Sequence, residues 1–292
     1  MKPKILNYGS LNIDHVYQVP HFVTPGETLS SASLSHFAGG KGANQSVALA
    51  RAGAIVFHAG KIGTDGGWLK DKLEQNNVNI QFILEGTLDN GHAIIQVDAK
   101  GENAIVLYPG ANQEMTEEEI DITLSKFDPG DYLLLQNEIN LIPYLIEKGH
   151  KRGLKVCYNP APMIPEVADY PLHLCHLLIV NETEGGTLSN GAHPPKILHT
   201  LSSRYPETEI LLTVGAEGSY HQKGTTLITQ GAEKVKAVDT TAAGDTFIGY
   251  YLAAILNQKS PEEALKVAAK AAALCVTRPG AMDAIPTREE IP

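Results

Sequence analysis

The chain has 292 residues, 43% hydrophobic and 19% charged, enough apolar material for a large core in one or two domains and too much for a globally disordered chain. Its 33 acidic and 23 basic side chains leave a net charge of −10, which repels phosphate backbones and excludes nucleic acid as an expected partner. A small anionic ligand is not excluded, because backbone dipoles hold phosphates on acidic proteins too.

In chain order, short apolar runs at 5–8, 55–57, 132–135, 155–158, 177–180 and 210–214 read as buried strands. Residues 41–52, 66–76, 141–152 and 195–205 read as helices between them. Repeated strand–helix order implies parallel strands with crossover helices. The expected fold is α/β, a three-layer doubly wound, mainly parallel sheet whose ligands sit at the carboxyl ends of the strands. Two segments break the rhythm. Residues 14–36 alternate without helical period around the turn Thr24-Pro25-Gly26-Glu27, and 92–107 read as a hairpin turning at 98–102. They form either edge hairpins of the main sheet or a separate small sheet over the site. We take the second, giving a nucleotide- and sugar-binding core of 1–13, 38–91 and 108–292 and a β-sheet lid of 14–37 and 92–107.

No stretch approaches the ~20 apolar residues of a membrane span, and no apolar leader follows Met1, so no membrane partner is expected. Cys157, Cys175 and Cys275 include no C-x-x-C pair, which argues against a disulfide framework and for a cytoplasmic location.

Four motifs carry chemistry. Asp239-Thr240-Thr241-Ala242-Ala243-Gly244-Asp245-Thr246-Phe247 precedes an apolar helical stretch. Small residues at a helix start let a ligand approach, and the first-turn amides of Ala242, Ala243, Gly244 and Asp245 would face a transferring phosphoryl group. Asp245 would stand ready to accept a proton from an attacking hydroxyl, or would merely favour the helix dipole. Gly39-Gly40-Lys41-Gly42-Ala43-Asn44-Gln45 opens another helix, either as a polyhydroxyl site through Asn44 or as a plain helix start; no Walker A pattern occurs. Asn12 and Asp14, two apart after the first strand, share one face and suit vicinal sugar hydroxyls. Asn181 and Glu184, three apart at a helix start, suit the waters of a Mg²⁺ ion. A solvated turn or cap is the alternative for each of these two pairs. His173-Leu174-Cys175-His176 lacks a second ligand pair at zinc spacing, and no G-x-S-x-G elbow is present.

Taken in order, GSLNID, TPGET, GGKGANQ, NPAP, NETE and DTTAAGDTF resemble the ribokinase branch of the PfkB-type carbohydrate kinases over nearly the whole chain. The resemblance implies a kinase moving the γ-phosphoryl group of MgATP to the terminal hydroxyl of a pentose, ribose first among acceptors. Deoxyribose, a hexose or a nucleoside are the alternatives within the family, and a non-catalytic sugar or nucleotide sensor is the alternative outside it. It implies Asp245 as base, Ala242, Ala243 and Gly244 as anion hole, and Asn12, Asp14, Gly40, Lys41, Asn44 and Glu138 at the sugar. It implies Asn181, Glu184, Thr213, Gly215 and Gly218 at the nucleotide, and a K⁺-type site at Asp239, Thr241, Cys275, Arg278 and Gly280. A homodimer through the lid is implied too. Two positions depart from the pattern: Ala284 stands where the cation loop ends in serine, and Ala269 where the adenine site often has His or Asn.

Overall fold

The structure is a computed structural model that describes residues 2–291. Its first half runs β1 (Ile5–Tyr8), β2 (Asn12–Gln18), β3 (Ser33–Gly39), α1 (Lys41–Arg51), β4 (Val56–Ile62), α2 (Gly67–Gln75), β5 (Asn79–Glu85), β6 (Gly91–Val97), β7 (Asn103–Tyr108), α3 (Glu117–Leu124), β8 (Tyr132–Gln136) and α4 (Ile142–Lys151). The second half runs β9 (Lys155–Asn159), β10 (Leu177–Asn181), α5 (Glu182–Ser189), α6 (Pro194–Arg204), β11 (Glu209–Val214), β12 (Gly218–Lys223), β13 (Thr226–Gln230), α7 (Ala243–Leu256) and α8 (Pro261–Cys275).

Nine strands form one sheet in the order β13-β12-β11-β10-β9-β8-β1-β4-β5. The seven from β11 to β5 pair in parallel, and β12 and β13 add an antiparallel edge. The chain leaves β1 in one direction towards β5 and later returns to build outward from β8. That reversal opens a crevice at the carboxyl end of β1. The continuous apolar runs are sorted by the pleat. Leu133 and Leu135 pack with α3 and α4 on one face, while Leu134 packs with α1 and α7 on the other. The expected three layers are therefore observed, with α1, α2, α7 and α8 on one side and α3 to α6 on the other.

The two irregular segments form a second sheet, ordered β3-β2-β6-β7, apart from the first. They are not edge hairpins of the main sheet. Its strands reach one or two residues beyond the expected segments, to Asn12 and Gly39 and to Gly91 and Tyr108. The chain passes between the two sheets through short connections, at 9–11 and 86–90, with no linker to mark the border. Among the described residues no helix is long and apolar enough to cross a membrane. Cys157, Cys175 and Cys275 are buried and free.

Candidate active site

Two adjoining cavities lie along the carboxyl ends of β9, β10 and β11. The polar one, about 260 Å³, is lined by Lys41, Asn159, Asn181, Glu184, Ala242 and Asp245 among others. The apolar one, about 360 Å³, is lined by Thr213, Gly215, Gly218, Phe247, Ala269 and Val276 among others. Thr213, Thr240, Ala243 and Gly244 belong to both, so the two are continuous at the start of α7. The sequence motifs on Asn181, Glu184, Thr213, Gly215 and Gly218 are thus brought to one place, and Ala269 lies in the apolar chamber.

At that start, Ala242 has φ 58 and makes no side-chain cap, and the Thr246 amide donates to the Ala242 carbonyl at 2.8 Å. A non-glycine residue in the left-handed region costs roughly 1 kcal/mol and turns the chain sharply into the helix. With no capping side chain, nothing on Ala242 competes for the first-turn amides. One departs from expectation: the Ala243 amide makes a long bond, 3.3 Å, to the Thr240 carbonyl. A Cβ built on Gly244 would meet nothing within 4 Å, so this turn faces open space. Asp245 lies in the first turn, 8% exposed, and accepts from Asn44 Nδ2 at 3.1 Å and Gln45 Nε2 at 2.9 Å.

Of the residues expected at the sugar, Asn12 and Asp14 share one face of β2. Asn112 Nδ2 donates to Asn12 Oδ1 at 2.7 Å, which leaves the Asn12 amide group to a ligand. A Cβ on Gly39 would lie 2.1 Å from an Asp14 carboxylate oxygen, so only glycine leaves that carboxylate in place. Burial, then the neighbouring Glu138 charge, pushes the Asp14 pKa up to about 7. Glu138 accepts from the Lys41 amide at 2.9 Å and from the Ser10 hydroxyl, and burial, outweighing the favourable Lys41 charge, raises its pKa. The Lys41 ammonium is held above its ordinary value, by Asp245 first and by Glu138 and Glu184 further on, against the opposing effect of burial. A cation is thereby stabilised among three carboxylates. Gly40, with φ 90, turns the chain from β3 into α1.

Asn181 and Glu184 form a reciprocal cap: Asn181 Oδ1 accepts from the Glu184 amide, and the Glu184 carboxylate accepts from the Asn181 amide and side chain, each at 2.9 Å. The capping alternative is therefore realised in geometry. Glu184 is nevertheless buried at the polar cavity, with its pKa raised by burial despite those bonds. Among the described residues no group of three or more His, Cys, Asp or Glu suits a metal ion.

Asp239 ties two loops together: it accepts from the Thr241 amide (2.9 Å) and hydroxyl (2.6 Å) and from the Gly280 amide (2.9 Å). Burial raises its pKa, and these bonds outweigh burial and leave it lowered. Cys275 Sγ lies 3.9 Å from the Thr241 carbonyl, the Arg278 amide donates to the Cys275 carbonyl at 3.1 Å, and the Arg278 guanidinium pairs with Glu290. Residues Ser10, Gln45, Asn112, Gln136 and Asn159 were not singled out from the sequence. Ser10, Gln45 and Asn159 nevertheless lie within quoted motifs, GSLNID, GGKGANQ and NPAP.

The sequence profile of the pfkB family carbohydrate kinases matches residues 2–288. The chain belongs to this family. The expected ATP-dependent carbohydrate kinase is met by this membership. The chain is 38% identical to the ribokinase of Haemophilus influenzae, over 99% of this chain and 97% of that protein. Its structure is similar to the ribokinase of Thermotoga maritima (TM-score 0.88, 35% identity, 99% and 97% covered). It is similar also to the Arabidopsis thaliana ribokinase complexed with ribose and ATP (TM-score 0.87, 28% identity, 99% and 97% covered).

Proposed function

We propose that this kinase transfers the γ-phosphoryl group of ATP to the terminal hydroxyl of D-ribose, giving ribose 5-phosphate. The observation that carries the reading is the placement of Asp245. It lines the polar cavity at an uncapped helix start, held by the side chains of Asn44 and Gln45. Similarity to ribokinases over nearly the full length supports ribose as the acceptor.

In this reading Asn12, Asp14, Asn44 and Glu138 hold sugar hydroxyls, with Gly40 and the Lys41 amide shaping the floor. Asp245 takes the proton of the attacking hydroxyl. The amides of Ala242, Ala243 and Gly244 and the Lys41 ammonium stabilise negative charge as it spreads over the phosphoryl oxygens. The base of the nucleotide fills the apolar chamber beside Ala269, and Thr213, Gly215 and Gly218 follow its sugar and phosphates. Mg²⁺, bound with the nucleotide, supplies neutralising charge, and Asn181 and Glu184 would hold its waters. The small sheet serves as a lid that excludes water, and its exposed apolar face pairs with a second copy. Free buried cysteines fit a cytoplasmic enzyme.

An acceptor panel with ADP release as readout tests the proposal. D-ribose is expected to give the highest kcat/KM among ribose, deoxyribose, fructose and adenosine. Preference for a hexose or nucleoside overturns the acceptor, and a lack of multiple turnover with any of them favours a sensor.

A further inference from the structure

We propose that Gln45 is a positioning residue for phosphoryl transfer: it fixes the Asp245 carboxylate, and a line of buried amides fixes Gln45. The inference rests on the reading of Asp245 as the base. Gln45 is fully buried and its amide is fully used. Nε2 donates to Asp245 at 2.9 Å and to Asn159 Oδ1 at 3.3 Å, while Oε1 accepts from Gln136 Nε2 at 2.7 Å.

The direction of each amide follows from the far end of the line. Asn7 Nδ2 lies 2.7 Å from the Gly42 carbonyl, which only accepts, so the Asn7 amide group must point there. Its oxygen then faces Gln136 Nε2 at 2.9 Å. Gln136 therefore presents hydrogens to Gln45 as well, and Gln45 presents its own to Asp245. Asn7, Gln45 and Gln136 are all 0% exposed, so water cannot compensate a reversed amide. A reversal at Gln45 would set a carbonyl oxygen against a carboxylate in a site of low dielectric. The line thus holds the carboxylate plane in one orientation before substrate arrives. Having no exposed surface, Gln45 acts through Asp245. Through Asn159, whose Nδ2 is 3.4 Å from Glu184, the same amide ties the base to the nucleotide side.

Gln45→Met keeps the volume and removes both polar ends. Single-turnover kinetics should show the transfer rate falling about 10–10²-fold, the scale of a misplaced catalytic group. KM for ribose and ATP should stay within about twofold. In an Asp245→Asn background the same substitution should change the rate by less than about twofold, because a residue acting through Asp245 has nothing left to position. An unchanged rate in Gln45→Met, or the full loss repeated on top of Asp245→Asn, overturns the proposal. Parental turnover by Asp245→Asn alone is a separate result, which overturns the base and with it the premise. If Gln45→Met does not fold by circular dichroism, Gln136→Met frees the Gln45 oxygen. A smaller loss with the same non-additivity is expected there, and an additive loss or none overturns the inference.

Discussion

Gly249 of α7 lies so close to Ala48 of α1 that a methyl on the glycine would come within 2.3 Å of the Ala48 Cβ. One helical turn earlier on each helix stand Asp245 and Asn44, joined at 3.1 Å. The close approach of two small residues therefore sets the distance between the proposed base and its amide donors. Gly249→Ala should push the helices apart. Overpacking of this kind costs roughly 1–3 kcal/mol. The expected result is a lower midpoint in urea and a fall in kcat larger than any change in KM. A variant with a lower midpoint but parental kcat would break the link between this crossing and the base.

Asp14 carries a stability cost. Its folded pKa, about 7, lies above the ordinary 3.8, so the native state prefers the protonated form. Between those values the unfolded chain releases the proton and the native one keeps it. Stability therefore falls as pH rises from about 4 to 7 and is flat on either side. Asp14→Asn should remove this loss. At 1.36 kcal/mol per unit, discounted for partial exposure, the ligand-free variant should gain about 1–3 kcal/mol at pH 8 and almost nothing at pH 4. It should also bind ribose more weakly. Urea unfolding at both pH values, with ribose calorimetry, checks the pair of effects; an equal gain at both pH values would contradict the charge explanation.

The glycine opposite that carboxylate gives a cleaner separation of sugar from nucleotide. Gly39→Ala should displace Asp14 and weaken ribose binding by about tenfold or more, while ATP binding at the far end of the cleft stays as in the parent. Loss of both affinities would point to general damage to β3.

The fold was legible because each central strand is a short apolar run bounded by polar residues. Elements without that signature were missed. β12 and β13 are short, mostly polar strands at the antiparallel end of the sheet, and β5 is half exposed. α3 and α8 were missed although both open with a legible capping box, Thr116 with Glu119 and Ser260 with Glu263. The proposed site divides similarly. Asp245 and Asn44 lie in motifs whose residue types suggest their chemistry. Gln45 gives no such hint: its contact with Asp245 depends on two helices crossing 200 residues apart in sequence, which no local pattern encodes.

The proposed pairing of the small sheet draws on its register. Phe37, Leu107 and Asp14 share one face, with Ile105 beside them, and Phe37, Ile105 and Leu107 are 41%, 52% and 51% exposed. Such a face is costly to leave in water, and in the proposed dimer a twin copy would cover it by two-fold symmetry. Sedimentation at micromolar concentration should show a dimer, and Leu107→Glu a monomer with reduced ribose turnover. A parent chain that sediments as a monomer throughout would count against pairing.

The last expectation concerns a monovalent cation. The loops carrying Thr241 and Gly280 are joined through Asp239, next to the turn that begins α7. A K⁺ ion there would steady the Ala242–Gly244 amides without touching the sugar. The ligands implied by the family pattern are chiefly backbone carbonyls, which do not depend on side-chain identity. Ala284 removes one hydroxyl ligand, and it is buried at 1% exposure, so only a water reaching the ion can replace that oxygen. K⁺ should therefore still activate, with a higher half-activating concentration than in Ala284→Ser. Activity is titrated with KCl at fixed ionic strength, balanced by a bulky organic cation, and urea unfolding of both proteins controls for the cost of burying a hydroxyl. A flat response in both would mean that no functional cation site exists. A response confined to Ala284→Ser would mean that the missing hydroxyl abolishes it.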